Sequence, residues 1–163
     1  MPETMAELAR ETFASLQETL FSFEPGAKTG EVEAIHDMRV TTRRLRVALS
    51  NFAVCFPREA GRELKSRLEE IADALGRVRD LDVMLEALAT LGAESPEARK
   101  AMTANLPSRL RRRRRYHVQR MREYFKGENY QNLSKASQNL INSIGVDPAV
   151  GNGKTVQNQE SLP

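Results

Sequence analysis

From Leu64 to Leu85 the apolar positions Leu64, Leu68, Ile71, Leu75, Val78 and Leu85, joined by Asp82, are spaced alternately four and three residues apart. That alternation places all of them along one line of a helix and is the seam of a helix packed in a bundle. The chain around it therefore has to be helical, and the seam needs other apolar helices to cover it. Gly76 lies inside the stretch, so a kink dividing it into two shorter helices is also compatible with the pattern.

Four more helical stretches are expected, and no strand. The first runs from about Glu3 to Phe23, carried by Met5, Leu8, Phe13, Leu16, Leu20 and Phe23, with a loop from Pro25 to Gly30. A second spans Glu31 to Phe56 and stops at Pro57, after which the helix of the seam begins near Arg58. A loop from Gly92 to Ser95 leads to a fourth helix opened by Pro96, reaching Lys126 and bent or broken at Pro107. Tyr130, Leu133, Leu140, Ile141 and Ile144 mark a short fifth. The fold class is all-α: an up-and-down antiparallel bundle over residues 1–144. Residues 145–163, rich in Gly, Asn, Gln and Ser, are expected to form a disordered polar tail.

A single cysteine, Cys55, excludes an intrachain disulfide and a cysteine-built zinc site; beside Val54 and Phe56 it reads as a small buried hydrophobe. The N-terminus shows no basic segment followed by an apolar core, and no apolar run is long enough to span a bilayer, so a cytoplasmic protein is expected. The formal net charge of +3 conceals polarity along the chain. Residues 1–30 hold two basic and five acidic side chains, whereas residues 101–126 hold nine basic and one acidic. Such asymmetry points to an anionic partner. Aromatics make up only 6% of the chain and tryptophan is absent, which argues against a surface built on stacked bases.

Three stretches can carry anion chemistry. In the second helix His36, Arg39, Arg43 and Arg46 fall within about 80° of one another. Ile35, Met38, Leu45, Leu49 and Phe52 flank them on one side and Val40, Val47 and Val54 on the other, with Asp37, Thr41, Arg44 and Asn51 assigned to the outward face. Cations half enclosed in this way need an anion between them, and the guanidinium fork matches phosphate oxygens. Internal pairing with Asp80, Asp82 and nearby glutamates fits the same spacing. In the helix of the seam, Lys65 and Arg79 share a face with Ala72 and Gly76 between them, describing a shallow trough; ordinary surface placement is the alternative. In the fourth helix Arg109, Arg111 to Arg115, Arg120 and Arg122 surround an apolar line of Leu106, Leu110, His117, Met121 and Tyr124, with Arg113 and Arg114 close to that line. A solvated basic helix and a phosphate-binding surface both fit it.

Two histidines, His36 and His117, are too few for a metal site, and no metal or other cofactor is expected. Glycine-rich phosphate loops, nucleophile elbows and paired-histidine metalloprotease motifs are absent, so no catalytic residue is assigned and the chain is read as a non-enzyme.

The stretch AIHDMRVTTRRLRVAL followed by LKSRLEEIADALGRVRDLDVMLEAL resembles the CHAD domain, the conserved histidine α-helical domain. The histidine with its downstream arginines and the LG-x-x-RDLDV segment carry the resemblance, which is clear from Glu31 to Leu91 and looser through the fourth helix. It implies binding of inorganic polyphosphate through basic residues lining a groove, often with association to polyphosphate granules. On that basis His36, Arg39, Arg43, Arg44 and Arg46 match the first basic motif, and Lys65 and Arg79 match basic positions of the next helix. Arg109, Arg113, Arg114 and His117 are compatible contacts on the fourth. CHAD domains usually consist of two related bundles, each with its own histidine–arginine motif. This chain holds one such motif and looks like the N-terminal half, so a homodimer rebuilding the groove is one expectation. Nucleic acid bound through its backbone, and phosphatase action through His36, are the competing readings.

Overall fold

Thr4 opens the first helix with a reciprocal cap: its hydroxyl accepts from the Glu7 backbone N–H, and the Glu7 carboxylate accepts from the Thr4 N–H. The computed structural model describes residues 4–95, 99 and 105–145. Within them lie six α-helices: α1 (Met5–Ser22), α2 (Glu24–Thr29), α3 (Val32–Asn51), α4 (Arg58–Glu94), α5 (Asn105–Lys126) and α6 (Glu128–Ser143). A single 3-10 turn, Ala53–Cys55, links α3 to α4. No strand occurs among the described residues, and the fold is an all-α bundle.

Helix α4 is the axis of that bundle. It packs against α3, α5 and α6, while α1 lies on α3 and α6. Leu64, Leu68, Ile71, Leu75 and Val78 are buried along it as the 4-3 spacing requires, with Leu81 and Asp82. The helix is continuous through Gly76 and through Gly92, where a loop was expected. Phe13 of α1 fills the adjoining space, meeting the rings of Phe52 and Phe56 edge-on at centroid distances of 6.2 and 5.8 Å. Tyr130 of α6 does the same against Phe125 at 4.7 Å. Tyr130, Leu133, Leu140, Ile141 and Ile144 are all buried, as their spacing indicates.

Several local expectations are corrected. Pro25–Gly30 is not a loop: Pro25 sits in the first turn of α2, where a missing N–H costs nothing, and Gly30 ends that helix at a φ of 89°. Helix α3 ends at Asn51 and not at Phe56. Met5 and Leu8 are exposed, and Ala9, Phe13 and Leu20 form the buried seam of α1. On α5 the buried line is Val118, Met121 and Phe125, rotated from the expected one; Leu106 is exposed and His117 only half buried. Pro107 lies in the first described turn of α5, and the expected start at Pro96 falls outside the described residues. Thr41, assigned to the outward face, is buried with its hydroxyl donating to the Asp37 carbonyl at 2.9 Å. Cys55 is half buried, not fully. The polar tail beyond Gly145 lies outside the described residues. No helix among the described residues is long and apolar enough to cross a membrane.

Candidate functional site: a basic trough between α3 and α4

Helices α3 and α4 run antiparallel, with Arg39 beside Gly76 and Arg46 beside Glu69. Burial of Ile35, Met38, Thr42, Leu45 and Leu49 fixes the rotation of α3. With that stripe inward, the residues one helical step away must rise along the α4 side. His36, Arg39, Arg43 and Arg46 do so, and together with Arg79, Ala72, Asp73, Asp80, Val40 and Val83 they line a cavity of about 590 Å³. Ala72 is the small residue of α4 on that lining. Arg39 also passes over Gly76, its Nε 3.8 Å from the position a Cβ would take, an ordinary contact distance.

The cations of this trough are largely uncommitted. Among the described residues His36, Arg39, Arg43 and Arg79 form no ion pair, and Arg46 approaches Glu69 only at 3.7 Å with both side chains about half exposed. Asp80 and Asp73 stand on the lining and, among the described residues, form no ion pair. Of the internal pairing with Asp80, Asp82 and nearby glutamates that the spacing equally allowed, the described residues show one weak case, Arg46 with Glu69, and none with Asp80 or Asp82. Asp82 turns the opposite way and is bound by Arg114 of α5. Four arginines and an imidazole thus line one open cavity beside only two carboxylates, Asp73 and Asp80, an excess of positive charge that favours entry of further anionic oxygens.

The remaining candidates separate. Arg44 points away from the trough into a mainly apolar groove between α1 and α3 with Leu8, Leu16 and Val47. Lys65 is exposed and lies outside the lining. Arg114 is not available to a ligand: besides Asp82 it donates to the Gly30 carbonyl at 2.8 Å. Arg122 likewise donates to the carbonyls of Lys28 and Thr29 at 2.6 and 3.1 Å, so these two arginines cap the C-terminus of α2. Arg109 and Arg113 border a cavity of about 650 Å³ along the first half of α5 with Leu106, Leu110 and Tyr116.

His117 belongs to a different flank of α4, in a small cavity of about 180 Å³ with Glu70, Asp73, Ala74, Arg77, Arg120 and Met121. Partial burial and the nearby Arg113 and Arg77 guanidiniums push its pKa below the usual imidazole value, favouring the neutral ring. The sequence names Arg120 only among the arginines of the fourth helix and does not single out Arg77. A signal existed for Arg77, which follows Gly76 on the exposed side of the 4-3 seam. Among the described residues no group of three His, Cys, Asp or Glu side chains is placed to hold a metal ion.

An uncharacterized protein of Mycobacterium tuberculosis is 29% identical over 83 residues, covering 51% of this chain. The matched segment spans only 16% of that protein's own length. No solved structure matches the chain at a significant level. The model of the CHAD domain matches residues 11–161, well beyond the Glu31–Leu91 stretch that carries the motifs, and the chain belongs to the CHAD domain family.

Proposed function

We propose that this chain binds inorganic polyphosphate in the trough between α3 and α4 and does no chemistry on it. One observation carries the reading: Arg39, Arg43 and Arg79 converge with His36 on a single open cavity without intramolecular ion pairs among the described residues. A ribbon of phosphates presents pairs of oxygens at every unit, and each guanidinium can take two of them in parallel. Among the described residues the lining contains no Phe, Tyr or Trp ring on which a base would stack. That favours a phosphate polymer over nucleic acid, whose backbone would leave its bases unsupported. Family membership supports the same reading, since it is the activity that the resemblance implies.

The test is a titration with polyphosphate of defined length beside single-stranded RNA of equal charge, at near-physiological salt. Polyphosphate should bind tightly, with affinity falling steeply as salt rises, because each contact releases condensed counterions. RNA should fail to displace it, and no orthophosphate should be released with or without divalent metal. Equal binding of RNA and polyphosphate would reduce the trough to a generic basic surface. Release of orthophosphate would replace a binding module with a phosphatase.

A further inference from the structure

Gly76 is a residue that the fold does not require. It lies in the middle of a 37-residue helix, where glycine destabilises relative to alanine. Its φ is not positive, and a Cβ built there meets no atom within 4 Å except Arg39 Nε, at an ordinary contact distance of 3.8 Å. Neither backbone geometry nor packing explains the missing side chain. What it leaves is a low point on the exposed ridge of α4, and Arg39 reaches onto that point from α3.

The ridge itself is acidic on either side of this saddle. Asp73 and Asp80 are seven residues apart, roughly 10 Å along the axis, and neither is paired among the described residues. Between them Arg77 is exposed and Gly76 half-buried. Arg77 leans to the α5 side, where it lines the small cavity with His117 and Arg120 and acts on the imidazole together with Arg113. Asp73 borders both this cavity and the trough, so the two lie back to back across α4. Arg39, the bare backbone at Gly76, Arg77, and then His117 with Arg113 therefore make one basic row across the helix, passing between two carboxylates. Arg77 and Arg113 form no ion pair among the described residues, Arg120 pairs with Glu123 at 3.4 Å, and Glu70 reaches Arg67 at 3.9 Å.

We propose that a long polyphosphate lying in the trough crosses α4 over Gly76 and is held on the far side by Arg77 and Arg113 beside His117. This rests on the polyphosphate reading above and adds a second binding station to it. The consequence is a dependence on length with a structural origin. A ligand short enough to stay in the trough makes only the α3-side contacts, whereas a longer one gains the α5-side contacts by passing the saddle. The carboxylates of Asp73 and Asp80 keep the chain to that one crossing point.

The experiment measures binding of tripolyphosphate and of long-chain polyphosphate to the wild type, Arg77→Ala and Gly76→Ala. The wild type should favour the long chain. Arg77→Ala should leave tripolyphosphate binding unchanged and weaken long-chain binding about tenfold, the loss of one charge-assisted contact. Gly76→Ala should melt at a higher temperature than the wild type, keep tripolyphosphate binding, and lose affinity for the long chain severalfold. Proportional losses for both ligands in Arg77→Ala, or wild-type long-chain affinity in Gly76→Ala, would overturn the crossing. A wild type that binds tripolyphosphate with no advantage of length overturns the crossing alone. A wild type that binds neither ligand overturns the polyphosphate reading, and the crossing with it.

Discussion

Arg114 of α5 donates from Nε to the carboxylate of Asp82 on α4, whose side chain is 4% exposed, and the same guanidinium reaches the carbonyl of Gly30. One arginine thereby joins three elements: the end of α2, the middle of the bundle axis and the basic helix. The second carboxylate oxygen of Asp82 has no hydrogen-bond partner among the described residues. Among the described residues Arg114 is thus the one ion-pair partner of this buried carboxylate, and Val118 packs beside it on Gly30.

Arg114→Ala should accordingly destabilise the protein by about 3–5 kcal/mol, because it leaves a buried carboxylate unpaired. Arg113→Ala, one position earlier and exposed, should change stability by less than about 0.5 kcal/mol. Urea unfolding of both variants checks this. Equal, small effects would mean that the Asp82 contact does not hold α5 in place.

Arg39→Ala and Arg43→Ala should each weaken polyphosphate binding by about 1–3 kcal/mol while leaving the melting temperature nearly unchanged. Neither makes an ion pair among the described residues whose loss would unfold the chain. Arg58→Ala, an exposed position at the start of α4 outside the trough lining, should have little effect. Calorimetric titration separates the cases, and identical losses at all three positions would indicate diffuse charge attraction in place of a site.

His117 makes the free protein sensitive to mild acid. Its folded pKa lies below 6.5, through partial burial, Arg113 and Arg77, with the carboxylates of Glu70 and Asp73 in the same cavity too few to reverse the sign. As pH falls below about 6.5 the unfolded chain takes up the proton first, so stability declines until the pH has passed below the folded pKa. His117→Gln should remove that part of the decline. Comparing urea midpoints of both proteins at pH 7.5 and pH 5, buffers chosen about one to two units either side of the imidazole value, tests it. A decline of the same size in both would place the acid sensitivity elsewhere.

At the alkaline end the tyrosines of the α5–α6 corner take over. Tyr130 is buried and donates to Glu24 at 2.8 Å; burial first, then that hydrogen bond, pushes its pKa far above the ordinary value of 10. Tyr124 beside it is raised to about 12, chiefly by burial. Both groups stay protonated in the folded state while the unfolded chain ionises, so stability falls as pH rises above about 10. Tyr130→Phe should cost about 1–2 kcal/mol at neutral pH through the lost hydrogen bond and should soften the alkaline decline. Unfolding measured at pH 7 and above pH 10 reports both effects.

How far the fold could be read from the chain depended on what each segment packs against. The 4-3 spacing from Leu64 to Asp82 specified α4, and the spacing from Tyr130 to Ile144 specified α6, because both present one apolar line to a single dense core. The line on α5 was misread. Eight arginines obscure its periodicity, and Leu106 and Leu110 are apolar without being part of the core seam, so that Val118, Met121 and Phe125 emerge as the seam only once α4 and α6 are in place. Thr41 looked outward by its polarity, yet its hydroxyl satisfies itself on the Asp37 carbonyl one turn back and can be buried at little cost.

The sequence by itself determined that the chain is a helical bundle and that His36, Arg39, Arg43 and Arg46 share one face of α3. Both follow from the 3.6-residue period, which is local. Which cations remain free for a ligand is not local, since it depends on where the carboxylates of other helices come to rest. Only the tertiary structure decided that Asp82 takes Arg114, that Arg44 and Lys65 stand outside the trough, and that Gly76 lies under Arg39. The physical reason is that pairing of charges is settled by distances between helices, and those distances are set by the packing of apolar seams that carry no charge at all.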